Sequence, residues 1–284
     1  MLLLCVVHAT ANAQAPVTGH YPPGQSGLRG AATPPPGLQY TNFSRLFTNL
    51  ELAGVPLEEL RFANISMITW TSNWELLGLR YGALAGIPFA TGELNEPTPE
   101  SGFGLGDILV TPASLYGASA AFDYQLQLTV WTPSGHFAPG SPKNRGTGFW
   151  ALVYSLGGVY YPGGDRQTWS ISAVARIEQN FEQRDTHIEP GDDIVVDWGI
   201  GRMVRVLGRP LDLGVSGFVD AQLTHQRGGA AADDAARYRL LGAGPEASLG
   251  VVGTLTVRVR AQWEFAARDI VRGNNLWLIL NYRF

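Results

Sequence analysis

The stretch Asn274 to Phe284, NNLWLILNYRF, decides the fold. Counting back in steps of two from Phe284 gives Tyr282, Leu280, Leu278 and Leu276, while Arg283, Asn281, Ile279 and Trp277 fall between them. A period of two sends successive side chains to opposite faces, so the segment predicts a strand with one uniformly apolar face. Chain termini in water usually fray and gain nothing from terminal aromatic rings. An apolar face at the end of the chain therefore asks for apolar surroundings.

The neighbouring segments repeat the pattern. From Leu255 the residues Val257, Val259, Ala261, Trp263 and Phe265 interleave with Arg258, Arg260, Gln262 and Glu264. Further upstream, Leu211, Leu213, Val215 and Val219 alternate with Asp212, Ser216, Asp220 and Gln222, and Trp169, Ile171, Ala173 and Ile177 alternate with Ser170, Ser172, Arg176 and Glu178. Phe122, Tyr124, Leu126 and Leu128 likewise oppose Asp123, Gln125 and Gln127. Twelve such runs are predicted, near residues 37–50, 59–71, 76–91, 104–117, 121–133, 148–162, 168–182, 192–207, 211–226, 236–252, 255–268 and 274–284. Only Leu50 to Leu60, LELAGVPLEEL, reads as a turn or two of helix.

Alternation alone does not say which face is out, because a soluble barrel would bury the apolar one. Length and loops decide. Runs of about 11 to 16 residues exceed the usual 5 to 6 of soluble strands and reach the 9 to 11 needed to cross a bilayer at a tilt. Connections after odd-numbered runs are long, apart from the short last one, and those after even-numbered runs are tight, the asymmetry of an outer-membrane barrel. Composition agrees: 15% of residues are charged, glycine numbers 35, aromatics make up 11% and mean hydropathy is +0.01. Alternating lipid-facing and lumen-facing positions average to that middling value. The expected fold is all-β, a transmembrane antiparallel barrel of about twelve strands spanning residues 37–284.

Ahead of the barrel, MLLLCVVHATANAQA combines a short apolar run with the small-x-small pattern Ala11-Asn12-Ala13, so residues 1–13 are expected to be an export signal. Cys5, the single cysteine, would leave with it, and no disulfide framework is expected. Residues 14–36 form an arm rich in proline and glycine, with Tyr21-Pro22-Pro23-Gly24 and Thr33-Pro34-Pro35-Pro36. Proline gives no amide donor, so this arm joins no ladder; it either hangs in the periplasm or packs inside the barrel.

The ending in Tyr282 and Phe284 resembles the C-terminal signal by which outer-membrane barrels are recognised for assembly. The segments GLGDILVTPASLYG (Gly104 to Gly117), FDYQLQLTVWTPSGHFAPGSPKNRGTGFW (Phe122 to Trp150), PGDDIVVDWGIG (Pro190 to Gly201) and WEFAARDIVRGNNLWLILNYRF (Trp263 to Phe284) resemble the outer-membrane family named for the meta-pathway of phenol degradation. That resemblance implies an outer-membrane barrel of the kind labelled a transporter and placed near pathways for aromatic or other apolar compounds. It brings no catalytic residues.

The five histidines have no partner pair suited to a nucleophile, and no His/Asp/Glu set has metal-ligand spacing, so neither an enzyme, a cofactor nor a metal is expected. A net charge of -4 argues against nucleic acid. The expected partners are outer-membrane lipid and lipopolysaccharide, the barrel-assembly machinery and a small apolar ligand. Asp123, Gln125, Arg176, Glu178, Asp220, Arg258, Arg260 and Glu264 are expected to face the lumen, as a filled polar network or as a hydrated path. Pro88 and Pro112 stand in adjacent runs of a barrel without edges, which marks either two bulges or a lateral seam. Passive uptake of small apolar compounds is the expected function, with a plugged structural or surface-interaction barrel as the alternative.

Overall fold

The computed structural model describes residues 18–52, 55–57, 59–94, 103–139, 141, 144–229 and 237–284. The expected export signal lies outside these residues. Twelve long strands form the wall: β1 (Gly37–Leu52), β2 (Glu59–Leu76), β3 (Leu79–Leu94), β4 (Leu109–Ala118), β5 (Phe122–Trp131) and β6 (Ala151–Tyr160). The second half comprises β7 (Trp169–Asn180), β8 (Asp193–Val206), β9 (Arg209–Gln222), β10 (Arg239–Val252), β11 (Leu255–Arg268) and β12 (Arg272–Arg283). Each pairs antiparallel with the next, and β12 returns to β1 with Tyr40 opposite Tyr282 and Leu46 opposite Leu276. The sheet is thereby closed and every wall strand is paired on both sides, the condition for spanning lipid.

Burial shows which face is out. On β7, Trp169, Ile171 and Ile177 are each more than two-fifths exposed, whereas Ser170, Ser172, Arg176 and Glu178 are buried. Apolar outside and polar inside is the reverse of a soluble sandwich and matches a wall in contact with lipid. Two of the tight turns have a shared geometry: Leu77 and Gly78, and Leu207 and Gly208, all hold positive φ. Positive φ at both central residues is the type I′ hairpin, whose twist suits two-residue connections, and glycine fills the second position at no steric cost.

The structure departs from the sequence reading in two places. Among the described residues of Leu50 to Leu60 no helical turn forms; β1 runs on to Leu52, and Val55–Leu57 pairs back on it with Leu50 opposite Leu57. A short helix carries the nucleation cost of its first turn, whereas each residue added to an existing ladder does not. The fourth run starts at Leu109 rather than residue 104, and Gly104–Leu105 forms a separate two-residue pairing with Phe89 and Ala90.

Candidate functional site

The Pro/Gly-rich arm lies within the lumen. Residues 18–36 join no ladder of the wall, so their amides and side chains are met by charged groups that the strands project inward. Asp197 on β8 accepts from the Tyr21 hydroxyl (2.7 Å), the Gly24 amide (2.8 Å) and the Ser26 amide (3.0 Å), and pairs with Arg176 on β7 (3.1 Å). Glu246 on β10 accepts from the Leu28 amide (3.1 Å) and is paired with Arg260 (2.7 Å) and Arg258 (3.3 Å) on β11. Arg29 pairs with Asp212 at 2.5 Å. Gly27 adopts φ +63°, and a Cβ there would meet the Arg260 guanidinium and the Glu246 carboxylate, so only glycine passes between that ion pair and the arm.

His20 anchors the outer end of the arm. Its Nδ1 lies 2.7 Å from Glu178 and its Nε2 3.3 Å from Asp107 and 2.7 Å from the Thr147 hydroxyl. The ring stacks on Trp131 at 5.3 Å and meets Phe149 edge-on at 4.6 Å. Burial alone would lower its pKa, but hydrogen bonds to Asp107 and Glu178 outweigh it and push the imidazole up to about 9. Asp107 also accepts from the Gly135 and Thr147 amides, tying two connecting segments to the same point.

Two cavities flank the arm. The one toward the long loops, about 430 Å³, is lined by Arg45, Arg61, Asp220 and Glu264. The one toward the tight turns, about 420 Å³, has a mixed lining: Gln125, Gln127, Arg176 and Arg258 face an apolar wall of Phe43, Met67, Leu84, Leu109, Trp131 and Val153. Tyr21 lines both.

The residues singled out from sequence thus occupy different places. Gln125, Arg176 and Arg258 border the inner cavity, and Asp220 and Glu264 the outer one. Glu178 holds His20, Arg260 is fully buried against Glu246, and Asp123 is held by Arg166 (2.8 Å) and the Tyr161 hydroxyl (2.8 Å) near the tight turns. Pro88 lies beyond the last β3–β4 pair, Gly86 opposite Leu109, and its carbonyl accepts from Gly106 (2.9 Å). Pro112 sits in a bulge where β4 shifts register against both β3 and β5. Strand prolines are not confined to this seam, since Pro245 lies within β10. Phe284 donates its amide to Leu38 (3.0 Å), and its ring meets Tyr282 edge-on at 5.0 Å. Among the described residues, no group of three or more His, Cys, Asp or Glu is arranged to hold a metal ion.

The apolar wall escaped the sequence reading because its members occupy inward positions, where polar residues were expected. A signal was available: in the middle of β1 and β2 the amphipathic sense is inverted, with Phe43, Ile65 and Met67 inward and Asn42, Asn64 and Ser66 outward.

The family described by the MetA-pathway of phenol degradation matches residues 60–280. Among solved structures, an outer membrane channel from Pseudomonas putida F1 superposes with a TM-score of 0.74 at 14% identity, covering 93% of this chain and 100% of its own. The beta domain of the Bordetella autotransporter BrkA gives 0.53 at 12% identity, covering 87% of this chain and 99% of its own. The translocator domain of the autotransporter NalP from Neisseria meningitidis gives 0.51 at 13%, covering 90% and 91%. No curated protein matches the sequence. The architecture is that of an outer-membrane β-barrel.

Proposed function

The chain belongs to the family described by the MetA-pathway of phenol degradation, and from that premise we propose that it is an outer-membrane channel admitting small apolar molecules, aromatic ones included. The observation that carries this reading is the apolar wall of Phe43, Met67, Leu84, Leu109, Trp131 and Val153 inside a lumen otherwise lined by polar groups. A cavity of about 420 Å³ takes a single aromatic ring with room to spare. Burying about 150 Å² of ring surface at about 25 cal/mol/Å² gives roughly 4 kcal/mol before association costs, which corresponds to millimolar binding at best. Weak binding suits passage, since a conducting site must also release.

The sideways route fits the same wall. Leu84 and Leu109 belong to the β3–β4 ladder, whose six registered pairs among the described residues are interrupted by a bulge before Gly104–Leu105 adds two more on the same edge of β3. An apolar solute on this wall stands beside a seam broken by the bulge at Pro112 and by the change of partner from β4 to Gly104–Leu105, and departure into lipid there avoids the charged groups that hold the arm. The arm favours a second reading, a barrel plugged at rest, because residues 21–29 are tied to Asp197, Glu246 and Asp212.

Uptake of a labelled monocyclic aromatic into liposomes separates the readings. The wild-type barrel is expected to admit it, and Leu84→Asn with Leu109→Asn to slow entry while leaving the heat-modifiable barrel intact. Equal rates for wild type, the double variant and protein-free liposomes would leave the plugged barrel as the function.

A further inference from the structure

The lipid-facing wall carries a polar island. On β5, β9, β11 and β12 the outward mid-strand positions are apolar, for example Leu126, Val215, Val259 and Leu278. On β1 and β2 they are Asn42, Ser44, Asn64 and Ser66, framed by Tyr40 and Ile68 toward the tight turns and by Leu46 and Phe62 toward the long loops. Register places Asn42 opposite Ser66 and Ser44 opposite Asn64. The two carboxamides exchange hydrogen bonds, Asn42 Nδ2 to Asn64 Oδ1 at 3.0 Å and Asn64 Nδ2 to Asn42 Oδ1 at 2.9 Å. Ser44 donates to Asn42 Oδ1 at 3.1 Å, Asn64 Nδ2 also donates to Ser44 at 2.9 Å, and Tyr40 shares a hydrogen bond with Ser66 at 3.0 Å.

Polar side chains in the hydrocarbon belt are costly, and lipid tails offer them nothing. Internal bonding lowers the cost without giving a reason for four polar residues where leucine would serve. Within a membrane no hydrophobic force drives association, so contacts form where small residues permit close approach and where hydroxyls and carboxamides bond across the interface. Serine supplies the first property, and the β3 neighbours of Ser66 and Asn64 are the apolar Ile87 and Phe89, which bound the island on that side. The second property selects the partner. A hydroxyl or carboxamide is both donor and acceptor, so this patch complements its own copy, and a two-fold axis along the membrane normal brings the same groups together. We propose that the island is the contact face of a homodimer, with two barrels meeting through β1 and β2.

The test uses the full chain in the outer membrane and after detergent extraction. Native mass measurement of the extracted wild type is expected to give a dimer. Ser44→Cys is expected to form a disulfide-linked dimer on oxidation in the membrane, and Val196→Cys on the opposite wall to remain uncrosslinked, as the wild type does. Asn42→Leu with Asn64→Leu puts apolar groups against lipid, so the heat-modifiable barrel still forms while the dimer fraction falls about tenfold. A monomeric wild type, equal crosslinking from Val196→Cys, a dimer unchanged in the double leucine variant, or Ser44→Cys captured by a different protein would each overturn the assignment.

Discussion

Tyr21 donates its hydroxyl to Asp197 at 2.7 Å while the Arg176 guanidinium covers its ring at 4.1 Å. This contact lies where both cavities share a lining residue, so the ring stands between them. Tyr21→Phe keeps the ring and removes a hydrogen bond to a charged acceptor, with an expected cost of about 2 kcal/mol in arm anchoring. Tyr21→Ala removes the partition as well. In planar bilayers the alanine variant is expected to conduct severalfold more than wild type, and the phenylalanine variant to resemble wild type with more frequent openings. An unchanged conductance for the alanine variant would place the constriction elsewhere.

His20 makes the arm sensitive to pH. Its pKa is raised from the ordinary 6.5 to about 9, so the protonated form favours the docked arm. The contribution is fully present below pH 6.5 and is lost as pH rises through 9, an effect of about 3 kcal/mol over that range. Urea unfolding followed from pH 6 to pH 10 is expected to show wild-type stability falling across this window. His20→Gln, unable to gain the proton, is expected to start lower and to lose the slope. A slope retained in the glutamine variant would assign the titration to another group.

The wall was legible in the sequence because lipid on one side and a polar lumen on the other impose a period of two for long runs, as in Leu255 to Phe265. The arm was legible only as a segment that joins no ladder. Nothing local to Tyr21 or Leu28 says that their partners are Asp197 and Glu246, which lie 176 and 218 positions away. His20 looked isolated for the same reason, since Asp107 and Glu178 reach it only once the barrel has closed. The inverted sense of β1 and β2 was visible in Asn42-Phe43-Ser44 and Asn64-Ile65-Ser66, but it reads as noise until ten other strands fix which face is outside.

The last residue supplies a test of assembly. Phe284 is 70% exposed, so its ring adds little packing to the finished barrel, while its amide closes onto Leu38. Phe284→Ser retains that amide and deletes the ring. The serine variant is expected to be exported normally yet to give less heat-modifiable barrel in the outer membrane. Wild-type accumulation of the variant would show that the ring is not read during assembly.

The seam between β3 and β4 gives the most demanding prediction. Ala85 and Val110 are direct cross-strand partners there, and antiparallel partners stand about 4.5 to 5.5 Å apart at Cα, within reach of a disulfide. Cysteines at both positions are expected to lock the seam when oxidised. Such a lock leaves the lumen and the arm untouched, so small-ion conductance should stay the same while uptake of an apolar solute falls severalfold and recovers on reduction. Pro88→Ala with Pro112→Ala acts in the same direction more weakly, because Pro112 sits in a bulge and Pro88 beyond the last registered pair, where a restored donor closes the ladder only in part. Oxidised barrels that transport as fast as reduced ones would exclude the seam as the route. The solute would then have to pass the arm along the lumen, and uptake should instead follow the conductance of the Tyr21→Ala variant.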